Sequence, residues 1–441
     1  MGLDLEHPGR RERLFWPALI SILILFSGTM LYPDTFTDVK EHIGPFKVSA
    51  VGILFILAAP VVTVYFWRNR HDIRFRGLDA LLIATITFVT ARGMAAQNSL
   101  NGMALVGAFA GYSLLLYYGM AVLGQRRIAP RILVLSFAAI GIVVALYAIV
   151  EFVFNKDFLF GEITREKARI KNADFRRSGS TLAHPVLLGA FMVQTLPFVA
   201  CLFFKARSAA GRLAWGLAFT AVAVALFVSF SKGNFVAILI IAAGIAFWLL
   251  KKEFKLHKKT ILWLTLSSVV IVAIVSLLFP DAIGFNLFSG ERKAESIDLR
   301  VYSWRLVPQA LEAKPLFGTG LWQGISDIEV PPGVPSTVDN QYLSILVEEG
   351  LVGSILLGAS FILIARQAWQ LLRGGKKSAR WALPVAISMS AFAISGLFSN
   401  ILFEWPMIVV FWLEAGLLRA LFEVSYQELT ETQQLAPALQ E

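Results

Sequence analysis

Residues Ile132–Phe154 read ILVLSFAAIGIVVALYAIVEFVF, an almost unbroken apolar run of the length that crosses a bilayer as one helix. Comparable runs stand at Trp16–Tyr32, Val48–Trp67, Leu78–Thr90, Leu100–Val122, Pro185–Phe204, Leu213–Phe230, Phe235–Leu250, Ile261–Pro280, Tyr342–Ile364, Trp381–Phe398 and Trp405–Phe422. One buried core cannot absorb so many. The composition agrees, because the chain is 57% hydrophobic and 16% charged, where soluble domains hold roughly 25% charged residues. The expectation is an all-α, polytopic membrane protein of about twelve spans. Residues 1–422 form its single transmembrane domain, and 423–441 a polar cytoplasmic tail with little part in the fold.

The net charge of +10 is no sign of nucleic-acid binding, because of where the cations lie. Arg68, Arg70, Arg74 and Arg76, then Arg126, Arg127 and Arg131, then Lys205, Arg207 and Arg212 fill short gaps between alternate runs. Lys251–Lys259 and Arg366–Arg380 continue the series. Cytoplasmic loops hold such excesses, so both termini are expected inside. Arg10, Arg11 and Arg13 precede the first run, but no small-residue cleavage site follows Tyr32, so a removable signal peptide is not expected. Cys201 is the only cysteine, which excludes an intramolecular disulfide and a cysteine-rich metal site.

Two loops on the opposite face depart from the charge rule. Residues 155–184 carry seven basic against four acidic side chains, a balance of +3. The longer loop, about 281–341, holds Arg292, Lys293, Arg300, Arg305 and Lys314. Cations kept on that face point to an anionic ligand; the alternative is a solvated surface. Ionised groups near hydrocarbon are costly and face protein or a wet cavity. Those in question are Arg92, Lys232 in the tight Ser229–Asn234 turn, and Glu404, all near the outer edge, with Glu414 deeper. Arg92 serves either a ligand or headgroup anchoring, and Glu414 fits a pairing inside the bundle.

Within the long loop, Arg300, Ser303, Trp304 and Val307 recur at helical spacing, which predicts an amphipathic helix over about 297–313, kinked or divided at Pro308. Arg300 and Trp304 share a face suited to an anion beside an apolar or sugar-stacking surface, or to anchoring in headgroups. Lys314–Gly320 then reads as a flexible turn. Its Gly318-Thr-Gly320 lacks the strand and helix context of a nucleotide site. Asp339 stands where the chain re-enters the membrane, as an ordinary N-cap or as a functional carboxylate. His42 and His184 are the histidines expected outside; they lie in different loops and form no metal-ligand set.

Arg300-x-x-x-Trp304, Pro315-Leu-Phe-Gly-Thr-Gly320, Asp339-Asn-Gln-Tyr-Leu343 and Glu348-x-Gly350-Leu-Val-Gly353 form one long pattern. It resembles the membrane domain shared by O-antigen ligases and Wzy-type O-antigen and exopolysaccharide polymerases. Arg177-Ser-Gly-Ser-x-x-x-x-Pro185 and Ser231-Lys-Gly233 resemble two further landmarks. The resemblance implies a GT-C-like glycosyltransferase of the bacterial inner membrane, active at the periplasmic face. Its substrates are an undecaprenyl-pyrophosphate-linked oligosaccharide and a glycan acceptor. It needs neither cofactor nor metal, and its surroundings are membrane lipids, a flippase and a chain-length regulator.

By the same resemblance Arg300 and Lys232 contact the pyrophosphate; Arg177 and Arg305 are cations that can support them, and Arg92 is a further candidate from its place at the membrane edge. Lysine at 232, where the family has mostly arginine, keeps the charge and loses the bidentate fork. Asp339 is the first choice for the group that takes the acceptor proton and Glu404 the second, while Trp304, Gly318, Gly320, Asn340 and Tyr342 position glycan or loop. Lipid A core ligases carry histidine where this chain has Asp339, which turns the expectation toward a polymerase, with a ligase or related glycan transferase as the alternative. A transporter is the third reading. It expects ionisable groups at the midplane, where Glu414 is the lone example.

Overall fold

The computed structural model describes residues 14–31, 41–43, 46–48, 50–97, 100–126, 128–156, 158, 167–170, 173–182, 184–253, 291–325, 338–373 and 379–438. The helices are α1 (Phe15–Leu31), α2 (Ala50–Asn69), α3 (Gly77–Ala96), α4 (Leu100–Leu123), α5 (Ala129–Phe154) and α6 (Pro185–Lys205). They continue with α7 (Ala209–Val228), α8 (Lys232–Glu253), α9 (Glu291–Ala313), α10 (Gln341–Arg373), α11 (Ala379–Ser395) and α12 (Trp405–Ala438). Two antiparallel hairpins join them, β1 (Glu41–Ile43) with β2 (Phe46–Val48) and β3 (Lys167–Ile170) with β4 (Ala173–Arg176). Eleven of the expected apolar runs fall on helices; the ninth, 261–280, lies outside the described residues.

Among the described residues six helices are long and apolar enough to cross a membrane: α3, most of α4, α5, α6, α7 and α10. Their outward faces are apolar as well. Ile20 and Ile24 on α1, Val143, Leu146 and Val150 on α5, Leu213 and Leu217 on α7, and Ile355 and Ile362 on α10 are exposed at helical spacing. Water would oppose such stripes, and lipid accepts them. The protein is therefore a multi-pass helical membrane protein. Two expectations change in detail. α3 runs to Ala96, so Arg92 lies inside a helix, and α9 spans 291–313 without dividing at Pro308, which removes one backbone donor and leaves the rest of the helix intact.

α12 is buried on every side from Pro406 to Leu421 and forms the interior of the bundle. A side chain on Gly416 would come within 2.5 Å of Tyr117 O, so glycine lets α12 approach α4 closely. Phe26, Phe137 and Phe198 stack in sequence at 4.4 and 4.8 Å between ring centroids and join α1, α5 and α6. Deep in the bundle, Ser388 Oγ donates to Glu414 Oε1 at 2.5 Å, an internal partner of the kind expected.

One end of the bundle is closed by buried charges. Arg419 Nη2 reaches Asp79 Oδ2 at 3.2 Å and Arg74 O at 2.6 Å, Arg419 also pairs with Glu423, and Arg76 Nε meets Glu423 Oε1 at 2.8 Å. Arg76 also stacks on Tyr426 at 4.6 Å. Glu423 and Tyr426 lie beyond Phe422, where the sequence reading ended the membrane domain; α12 runs on to Ala438 and its extension is tied into the fold. The opposite end carries the polar loops.

Candidate active site

At that end α10 is broken. Gly350 has φ 64° and ψ −168°, a conformation open only to glycine, so the helix cannot close its hydrogen bonds across it. An unbroken helix would join Leu351 N to Val347 O and Val352 N to Glu348 O. Instead the loop after α9 inserts. Leu351 N and Val352 N bond to Pro315 O and Leu316 O at 3.0 and 3.1 Å, while Val347 O and Glu348 O accept from Thr319 N and Gly320 N at 2.9 and 2.7 Å. The two amides and two carbonyls parted at the break are thus re-paired, so these buried backbone groups stay satisfied.

This exchange explains the glycines. Gly318 and Gly320 have φ 62° and 105°. A Cβ on Gly318 would run into Glu348 O, and one on Gly350 would lie 2.5 Å from Leu316. The turn expected to be flexible is pinned on both edges. Arg92 completes the clasp, with Nε donating to Phe317 O at 3.0 Å and Nη2 to Gly318 O at 2.8 Å.

α9 lies against the start of α10 through a separate apolar cluster of Val307, Ala310, Ile325, Val338 and Val347. Ser303, one turn beyond Arg300, is buried on the same face, and its hydroxyl donates to Arg300 O. This packing aims Arg300 at the head of α10. Arg300 Nε stands 3.0 Å from Asp339 Oδ2, and the two side chains are 40% and 41% exposed. Asp339 is free for that contact because Asn340 caps the helix, its Oδ1 accepting from Tyr342 N at 3.0 Å and Leu343 N at 3.2 Å. Asn340 Nδ2 also donates to Leu397 O, and Tyr342 OH to Ala393 O. Trp304 and Arg305 are exposed.

The other half of this end comes from Arg177, Lys232 and the link between α11 and α12. Arg177 Nε donates to Ser229 O at 3.2 Å, reaching the turn that leads into Lys232, the first residue of α8. The Arg177-Ser-Gly-Ser segment is fixed from below by Glu151, whose Oε2 accepts from Ser178 Oγ at 2.6 Å and Ser180 N at 2.8 Å. Gly233 packs where a side chain would collide with Phe398 of the link. Glu404, at the end of the link, is exposed, and the protein packed around its carboxyl raises it above the ordinary range by partial desolvation.

Sequence reasoning assigned no role to Glu151 or Glu348. The signal was present in each case, an acid inside or beside an apolar run, where only a partner makes burial tolerable. Among the described residues no group of three or more His, Cys, Asp or Glu side chains converges.

The multi-pass helical bundle thus carries, at one polar end, an exposed arginine and aspartate over a glycine-clasped helix break. Residues 216–358, about a third of the chain, match the Wzy_C family model, described as O-antigen ligase, which supports membership in the superfamily of O-antigen ligases and Wzy-type polymerases. No curated protein matches the chain.

Proposed function

We propose that this protein transfers a glycan from an undecaprenyl-pyrophosphate carrier to an acceptor hydroxyl at the periplasmic face of a bacterial inner membrane. About twelve spans with both termini cytoplasmic would put the polar end on that face. The observation that carries the reading is the Arg300–Asp339 contact, a cation and a carboxylate brought together in reach of solvent by two different elements. Breaking the anomeric C1–O bond leaves negative charge on the pyrophosphate, which Arg300, with Lys232 and Arg177 from the facing loops, is suited to stabilise. Asp339, with Glu404 as second choice, takes the proton of the attacking hydroxyl. Pyrophosphate leaves readily, so the scheme needs no metal and no general acid, and direct attack inverts the anomeric centre.

The description of the matched family favours ligation to a separate acceptor. Asp339, in the place where ligases carry histidine, favours the second reading, polymerisation of repeat units. Purified protein supplied with lipid-linked repeat units, with and without a lipid A core acceptor, separates them. Ligation glycosylates the core only; polymerisation lengthens the lipid-linked glycan without it. Absence of both products, with the substrate instead moved intact across proteoliposomes, would leave the transporter reading.

A further inference from the structure

We infer that Glu348 is a positioning residue, which holds the two carboxylate-bearing segments of the site, around Asp339 and Glu404, in fixed relation. This rests on the glycan-transfer reading for its catalytic consequence, while its structural content stands alone. Glu348 is 1% exposed, two turns below the head of α10. Its Oε1 accepts from Ser344 Oγ at 3.0 Å, its Oε2 accepts from Trp322 N at 3.0 Å, and the Gly324 backbone is a further partner. One buried carboxylate thus joins α10 to the loop that clasps it.

Both arms continue to the link before α12. Asn400 Nδ2 donates to Ser344 Oγ at 2.9 Å, and Trp322 Nε1 donates to Phe403 O at 3.3 Å. These contacts bracket the residues leading into Glu404. Gln341, two residues after Asp339, adds a third tie, accepting from Leu402 N at 2.8 Å and donating its own N–H to Gly396 O at 2.8 Å. Trp322 has φ 63°, which a bulky residue adopts only when its surroundings impose it, and Glu348 and Phe403 grip it from both sides. A carboxylate accepts from all three groups, and because the Ser344 hydroxyl can also accept, an amide in its place would keep the hub joined.

The test compares full-length Glu348→Gln and Glu348→Ala with the parent in nanodiscs, by amide hydrogen exchange and by transfer from an undecaprenyl-pyrophosphate-linked repeat unit. Glu348→Ala should raise exchange in 319–325 and 400–404 by about tenfold or more while the α1 peptides stay unchanged. Its kcat should fall about tenfold or more, with KM within about threefold. Glu348→Gln keeps an acceptor for the Trp322 amide and should stay near the parent in both. Ser344→Ala, a milder change, should loosen 400–404 alone, and it substitutes if Glu348→Ala does not fold. Unchanged exchange in both segments for every folded variant overturns the inference, as does Glu348→Gln failing as badly as Glu348→Ala. A parent protein that transfers no glycan defeats the functional reading instead, and the exchange pattern then decides the positioning role alone.

Discussion

Arg300 Nε and Asp339 Oδ2 lie 3.0 Å apart across the junction of α9 and α10, with about two fifths of each side chain in solvent. A pair so exposed adds about 0–1 kcal/mol to stability, because water screens it and ordering two side chains costs entropy. Arg300→Ala and Asp339→Asn should therefore shift the unfolding midpoint in detergent only slightly, with any coupling between them fading as salt rises. Thermal unfolding of the single and double variants measures this; a large destabilisation would make the pair a structural strut.

Gly350→Ala should be far more damaging. Its backbone conformation costs a non-glycine residue roughly 1–3 kcal/mol, and the new methyl group meets Leu316 besides. Both the unfolding midpoint and the protection of the 315–320 amides should drop, which exchange measurements would reveal.

Asn340→Ala removes a helix cap and a bond to Leu397 O, at a cost of about 0.5–2 kcal/mol for the cap. Asn340→Asp keeps the cap, loses the Leu397 bond, and sets a second negative charge beside Asp339. The alanine variant should lower mainly the unfolding midpoint; the aspartate variant should lower mainly affinity for the pyrophosphate-linked substrate, seen as a raised KM.

At the far end, Arg419→Met leaves Asp79 and Glu423 short of a buried partner and should cost about 3–5 kcal/mol. Turnover per folded molecule should be unchanged, since the cluster and the site occupy opposite ends of the bundle. Equal losses in stability and in kcat would show that the two ends are coupled.

The helices were legible because apolar runs of bilayer length announce themselves, and eleven fall where the residues predict. The break in α10 was not. Gly350 sits between Glu349 and Leu351 in a stretch that otherwise reads as a helix, and its bonding partners, Pro315 to Gly320, lie about thirty residues upstream. The Gly318 and Gly320 pair reads in the sequence as a flexible turn, because its function depends on that distant break. Asp339 was legible as the head of a helix, yet the cap fell to Asn340, a choice between neighbours that spacing alone leaves open. Glu151 and Glu348 bond to residues that only the folded chain brings near. Pro308 predicts a kink or a division; α9 runs undivided across it, since a proline removes one donor and Val307 and Ala310 pack on the same apolar cluster.

The proposed function stands on chemistry performed by Arg300 and Asp339. Release of undecaprenyl pyrophosphate from a lipid-linked glycan supplied with an acceptor hydroxyl, by parent and Asp339→Asn protein at equal folded concentration, is the most direct measurement. Steady release by the parent is expected, with a fall of about 10²–10⁴-fold in the variant, the range typical of a lost general base, and an unchanged unfolding midpoint. Undiminished release by folded Asp339→Asn protein would contradict it.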